Sequence, residues 1–399
     1  MKIAIAGGGI AGTAAAALLA RQGHAVTLFE QAVHCGPVGA GIMIQPVGQW
    51  VLQQLGLYEQ IAAESARLNA IEAVRESGKR LIRLEYQRLH PDLFGLGVHR
   101  GRLFTALLNL AQQAGTEIRE GFRVIGYQNG SAGLTLQLEQ GECEEQFDFL
   151  IAVDGSRSQL RSVSGIPQRG VEYEYGALWA TGKCTAVHDH LLQLVSGTRR
   201  LAGLLPIGQD ECSFFWGLTA DQFSHYQQQG FDQWMHEVLT LCPLAEELLK
   251  QTNGFQDYTF TTYRSISLRN WHAERVIFMG DAAHPTSPHL GQGANLALED
   301  VWIFAECLQQ QGDFQSACRL YEARRRSKLR FYQRITGWLS PFFQSPGVLR
   351  GWGRDLSLPV MSQTPVLREQ MLKTLCGFKT GWLHSSQPGK EWSFTADPV

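Results

Sequence analysis

Apolar and polar positions alternate between two textures along this chain. Residues 2–6 (KIAIA) form a short apolar run of β type, residues 10–22 carry alanines and leucines without proline, and residues 25–30 (AVTLFE) return to β texture. Together they predict a β-α-β unit of about thirty residues, which requires a parallel sheet. A glycine-rich loop and then a helix (VGQWVLQQLGLYEQIAAES) are expected between 39 and 70, and a further helix over 102–115, which ends on a glycine. The stretch 122–155 reads as strand, turn, strand, turn, strand. From about 168 to 268 short aromatic and β-branched runs predict a sheet-rich insertion, with one helix at 231–250. Buried-strand texture returns at 275–284, a long helix follows at 293–311, and 314–399 reads as helical pieces divided by Pro341, Pro346 and Pro359.

The fold class expected is α/β: a Rossmann-like domain with an inserted β-sheet-rich domain and a helical C-terminal region. The expected boundaries are 1–75, 98–167 and 269–340 for the first domain, 76–97 and 168–268 for the second, and 341–399 for the helical region.

Charge and cysteine content narrow the choice of partner. Thirty-five Lys and Arg against 37 Asp and Glu give a net charge of -2, and therefore no electrostatic reason to expect nucleic acid or an anionic membrane surface. The eight cysteines show no Cys-x-x-Cys pair, which points to free thiols in a reducing compartment. No signal-peptide pattern opens the chain and no apolar run has the length of a membrane span, so a cytoplasmic protein without an integral membrane segment, monomeric or homodimeric, is expected.

Three motifs carry chemistry. Gly7, Gly9 and Gly12 form G-x-G-x-x-G between the first strand and helix: Gly7 permits the tight turn, Gly9 admits a pyrophosphate, and Gly12 lets helix and strand pack closely. Ile10 and Ala11 stand in the first helical turn, whose amides and dipole face the phosphates. Glu30 ends the second strand eighteen residues past Gly12, where an acid accepts hydrogen bonds from a ribose. This motif alone does not separate NAD from FAD. The second, DFLIAVDGSRSQLR (148–161), places Asp154 and Gly155 at a strand end before Ser158 and Arg161; alone it reads equally as a turn and a capped helix. The third, GDAAHPTSPHLGQGAN (280–295), admits a metal reading through Asp281, His284 and His289, but the two histidines are five apart across two prolines and nothing nearby completes a familiar ligand spacing, so metal is not expected.

Together the three segments, in this order and spacing, resemble the FAD-dependent aromatic hydroxylases, single-component flavoprotein monooxygenases related to salicylate, 3-hydroxybenzoate and urate hydroxylases. VGAGIMIQP (38–46) and HRGRLFTALL (99–108) also look like segments of that family, and the resemblance spans roughly residues 1–340. It implies FAD as cofactor, NADPH or NADH as transient co-substrate, and O2. It also implies that Glu30 holds the adenosine ribose, that Arg100 lies along the ribityl and phosphate chain, that Asp281 accepts from a ribityl hydroxyl, and that Asp154 sits between the FAD and NAD(P)H sites. Gly36 stands where the family often has a basic residue, and Val47 where it often has Asn after the Pro of "QP".

A reduced flavin needs its developing negative charge stabilised, and the helix start at Gly291, Gly293, Ala294 and Asn295 does this with amides and dipole. Pro288 is expected near the oxygen-reactive edge, and His289 is a candidate to orient or deprotonate a phenol. The resemblance implies attack of a flavin C4a-hydroperoxide on an electron-rich aromatic ring, so an apolar pocket is expected. Phe214 and Trp216 share one face of a strand, and either that pair or Phe215 lines the site; Arg200 or its neighbour Arg199 is a candidate anchor for an acidic substrate. The C-terminal segment 338–377 is similar to tails of ubiquinone-pathway and natural-product hydroxylases. The competing readings are another FAD oxidoreductase on the same scaffold, such as an oxidase, and a non-catalytic FAD-binding redox sensor.

Overall fold

The computed structural model describes residues 1–34, 40–345 and 348–386; Gly36, Pro346 and the residues beyond 386 lie outside that set. Its centre is a six-stranded sheet in the order 272–273, 276–278, 149–152, 2–6, 25–30, 117–120. Every pair in it is parallel except the edge strand His272–Ala273. The strand Lys2–Ala6 sits between Ala25–Glu30 and Phe149–Ala152, with Ile5 level with both Leu28 and Ile151. Strands flanked on both sides become continuously apolar, which is the KIAIA and FLIA texture. The helices Ile10–Arg21, Arg100–Gln113 and Gly293–Gln311 pack together on this sheet. A separate antiparallel sheet, 124–129, 134–138 and 141–147, meets it through Phe147 edge-on to Phe29 at 6.0 Å.

The insertion is a seven-stranded sheet in the order 259–268, 168–183, 211–219, 200–208, 190–196, 70–75, 80–85. Strands 70–75 and 80–85 are a hairpin of this sheet, so residues 70–75 go with the insertion and not with the expected segment 1–75. A small sheet of 41–44, 95–99 and 66–68 lies between the two large ones. There a Cβ on Gly97 would stand 1.8 Å from the Pro206 carbonyl, so only glycine permits this approach of the sheets. Arg102 fastens the same seam, donating to Glu211 (2.6 Å) and to the Gln209 side chain (2.8 Å).

Several expected elements change at their edges. The glycine-rich loop contains the strand Gly41–Ile44, and the helix after it is two helices, Pro46–Gln54 and Tyr58–Ala63, parted at Gly56 with φ +75°. The helix expected at 231–250 ends at Leu241, because Pro243 has no N–H to continue it. Conversely, Pro341 and Pro359 lie inside the helices Phe314–Phe343 and Val348–Gln363 and do not divide them. Each proline forfeits one backbone bond while the rest of its helix continues.

Candidate active site

The first motif is built as its spacing requires. Gly7 has φ +109°, and a Cβ there would meet the Val153 carbonyl at 2.5 Å; a Cβ on Gly12 would meet the Gly7 carbonyl at 1.8 Å. Around Gly9 nothing among the described residues lies within 4 Å of a Cβ, so the turn presents open space where a pyrophosphate would approach. Helix Ile10–Arg21 begins directly after it, with Ile10 buried, Ala11 half-buried and the first-turn amides without intrahelical acceptors. The Glu30 carboxylate accepts from the amides of Gly8 (2.6 Å) and Ala32 (2.8 Å), which fixes it beside the turn.

The second motif packs against the first. Asp154 lies under Gly7, and its Oδ2 accepts from the Leu160 amide at 3.2 Å while its buried Oδ1 has no partner among the described residues. Burial raises the pKa of this carboxyl, more than its hydrogen bonds to Ser158 and Leu160 and the charge of Arg161 lower it. Ser158 caps the short helix Gln159–Val163. Arg161 is buried and donates to the carbonyls of Ala282 and Ser156, both at 2.8 Å, and to Gln168 Oε1 at 3.0 Å. A motif arginine thus braces the backbone of the third motif.

In that third motif Gly280 adopts φ +55° and stands close to Ala11, and Asp281 opens onto the same cleft as Gly293. The protein around Asp281 raises its pKa by desolvation, against the opposing charges of His284, Arg100 and Arg161. The exposed Arg100, at the start of its helix, therefore acts across the cleft on Asp281. A continuous line results: Glu30, Gly9, Asp154, Asp281 and the first turn of Gly293–Gln311, whose amides face no intrahelical acceptor. An open turn for phosphates, carboxylates for hydroxyls and a helix start for a developing anion fit FAD along this line.

His284 has a different use from metal binding. Its Nε2 meets Asp300 Oδ2 at 2.5 Å, and Asp300 also accepts from the Gly280 amide and from Arg325. Arg325 and Lys328 share Glu299, at 2.6 Å each, to complete a buried charge cluster beneath the cleft. Those opposite charges hold Asp300 down at about 2 despite its burial.

Two of the expected flavin contacts are clamps. Gly291 is left-handed (φ +59°), and its carbonyl accepts from Asn295 Nδ2. Asn295 is fully buried; it also donates to the Met43 carbonyl (3.0 Å) and accepts from the Gln45 amide (2.8 Å). Its side chain ties helix to strand, and its amide belongs to the helix start.

Pro288 is exposed into the cleft. His289 stacks on Phe343 (centroids 5.8 Å) and stands edge-on to Tyr263 (6.1 Å). Its Nδ1 is hydrogen-bonded to Ser287 Oγ (3.0 Å), and its Nε2 makes no hydrogen bond of good geometry among the described residues. Burial lowers its pKa to about 4, with the hydrogen-bonding side chain of Gln344 acting in the opposite sense, so the ring is neutral at physiological pH. Tyr263 is raised by burial.

The expected substrate residues divide by face. Phe214 and Trp216 point to the outer side of the seven-stranded sheet, packed with Trp234, which is 6.4 Å from Trp216. Arg200 is on that side too, paired with Glu237 at 2.5 Å. Strand alternation puts Phe215 on the inner side instead, 5.3 Å from Trp179 and in one cluster with Met43, Leu205 and Phe343. Phe214, Trp216 and Arg200 are therefore removed from the site. Tyr263, Phe343 and Gln344 carried no motif; SPFFQS differs from ordinary core only once folded.

Comparison with known proteins agrees with this geometry. Residues 1–330 match the family described as FAD binding domain. The chain is 25% identical to the aurachin C monooxygenase/isomerase of Stigmatella aurantiaca, over 92% of this chain and 96% of that one. It is 27% identical to the 6-hydroxynicotinate 3-monooxygenase of Bordetella bronchiseptica, over 84% and 90%. Its fold matches Klebsiella pneumoniae HpxO complexed with FAD and uric acid with a TM-score of 0.79 at 22% identity, covering 94% and 97%. The chain belongs to the FAD-dependent aromatic hydroxylase family, and is an FAD-dependent monooxygenase acting on an aromatic small molecule.

Proposed function

We propose that the substrate is an uncharged, largely apolar aromatic ring bearing a hydroxyl or N–H group. The observation that carries this reading is the wall formed by Tyr263, His289, Phe343, Trp179 and Phe215. Among the described residues no ionised side chain acts on Tyr263 or His289, and Arg200, the candidate carboxylate anchor, is paired on the opposite face. A carboxylated substrate such as the one in the Bordetella relative's name would lack a counter-charge at this wall.

FAD, when bound, would supply the redox chemistry by which two electrons from NADPH or NADH let one atom of O2 enter the ring while the other leaves as water. The chain supplies the rest. Gly7, Gly9, Ile10, Ala11 and Gly12 receive the pyrophosphate, Glu30 the adenosine ribose, and Arg100, Asp154 and Asp281 the chain leading to the ring system. The amides of Gly293, Ala294 and Asn295 stabilise negative charge there. Pro288 and the aromatic wall exclude water. Neutral His289 accepts a hydrogen bond from the substrate hydroxyl at Nε2, which orients the ring and raises its electron density. A groove of about 290 Å³ beside the second motif, lined by Arg161, Gln168 and Arg264, receives phosphate of the nicotinamide cofactor. Among the described residues, the cysteines Cys143, Cys184, Cys212, Cys242, Cys307, Cys318 and Cys376 are free and buried, which supports a reducing, cytoplasmic setting.

The test is NAD(P)H oxidation by the FAD-loaded protein with neutral phenols and heteroaromatic lactams beside their carboxylated counterparts, with products weighed after reaction under labelled oxygen. Stimulated oxidation and label in the neutral products are expected. Preference for the carboxylates would overturn the substrate class, and a flavin that no aromatic causes to turn over would return the redox-sensor reading.

A further inference from the structure

The C-terminal helices leave an apolar face uncovered among the described residues. On helix Phe314–Phe343 a four-residue stripe runs Arg330, Arg334, Trp338, Phe342, all exposed. Trp338 is 61% exposed and 5.1 Å from Trp382, which precedes the exposed Leu383. Phe342 lies 3.7 Å from the Cβ position of Gly353, and beside Gly353 the helix Val348–Gln363 presents Trp352, Leu356 and Val360 at the same spacing. Trp352 is 71% and Leu356 76% exposed, so the face continues across both helices, and single scattered apolar residues do not account for it.

Charge identifies what covers it. Residues 330–386 hold seven Lys and Arg against two acidic residues; Arg354 and Lys379 are buried and Lys373 is paired with Glu369, which leaves Arg330 and Arg334 as the exposed cations of the Trp338 stripe. Arg330 and Arg334 have no acidic partner among the described residues. A second copy of the chain docked symmetrically here would set the same basic groups against each other. Exposed tryptophans with leucine and valine, rimmed by arginines, match the boundary between anionic headgroups and acyl chains.

We propose that this face docks the enzyme on the surface of an anionic lipid bilayer. No helix among the described residues is long and apolar enough to cross a membrane, so the attachment is peripheral and reversible. The inference does not depend on the substrate proposed above.

The test uses the FAD-loaded full chain, sedimented with phosphatidylcholine vesicles with and without phosphatidylglycerol at low and high salt. Binding to the anionic vesicles that weakens with salt is expected. W352S/L356S and R330E/R334E should each reduce it about tenfold or more, whereas V171S, at an exposed valine of the inserted sheet, should not. Unchanged circular dichroism and flavin content identify folded variants. Two results overturn the proposal: equal recovery in the supernatant with every vesicle, or a dimer in sedimentation velocity that W352S/L356S converts to monomer.

Discussion

Arg161 and Ala282, 121 residues apart in the chain, are joined by a guanidinium-to-carbonyl hydrogen bond of 2.8 Å. The bond makes the second and third motifs one object, because the loop that carries Asp281 is braced by the arginine of the Asp154–Arg161 segment. R161A strands the Ala282 and Ser156 carbonyls in a buried setting. A loss of about 2–4 kcal/mol and a lowered flavin content are expected, checked by thermal denaturation and the visible spectrum.

Gly9 and Gly12 separate binding from folding. A Cβ at Gly9 meets no atom within 4 Å among the described residues, so G9A should keep the wild-type Tm and lose FAD. A Cβ at Gly12 collides with the Gly7 carbonyl, so G12A should give little folded protein. Melting curves of both apoproteins, followed by fluorescence titration with FAD, check the pair.

Glu30 spends its carboxylate on the Gly8 and Ala32 amides and, as proposed, on the adenosine ribose. Hydrogen bonds to a charged group contribute roughly 1.5–3 kcal/mol. E30A should therefore weaken FAD binding about 10- to 100-fold, and an unchanged Kd for FAD would remove Glu30 from the ribose site.

His289 makes stability depend on pH with a definite sign. Burial lowers its folded pKa to about 4, whereas an unfolded histidine protonates near 6.5, so between these values the unfolded chain binds more protons. The contribution is intact above about pH 6.5 and is lost as pH falls toward 4, for a total on the order of 3 kcal/mol. Denaturant titrations at stepped pH should show a larger loss in the wild type than in H289N, which keeps the contributions of His24, His99 and His272, also lowered by burial. H289N should also lower kcat/KM for the aromatic by about tenfold, read by steady-state kinetics, if Nε2 holds the substrate hydroxyl.

Phe215 and Trp216 are neighbours with opposite duties. W216A opens the outer core against Trp234 and should cost about 3–5 kcal/mol with KM for the aromatic unchanged. F215A alters the inner wall and should raise that KM. Steady-state kinetics at a temperature where both variants are folded distinguishes them.

Local rules made much of the fold and the dinucleotide line legible. The β-α-β start, the glycine spacing and Glu30 follow from backbone sterics and helix-terminus electrostatics within thirty residues, and the helix Gly293–Gln311 keeps the bounds its periodicity predicts. The substrate wall was not legible in that way. Whether Phe215 or Trp216 faces inward depends on which side of the inserted sheet meets the small sheet at Gly97 and Pro206, a contact between segments a hundred residues apart.

By itself, then, the sequence determined a parallel α/β core, a phosphate turn and three motifs in family order, because each rests on contacts within a few turns or strands. The tertiary structure decided that His284 serves Asp300, that Asn295 is a clamp, that Arg161 braces Ala282, and that the C-terminal helices leave tryptophan and arginine exposed among the described residues. Each of those outcomes depends on a partner distant in the chain or on a neighbour that is missing, and periodicity records neither.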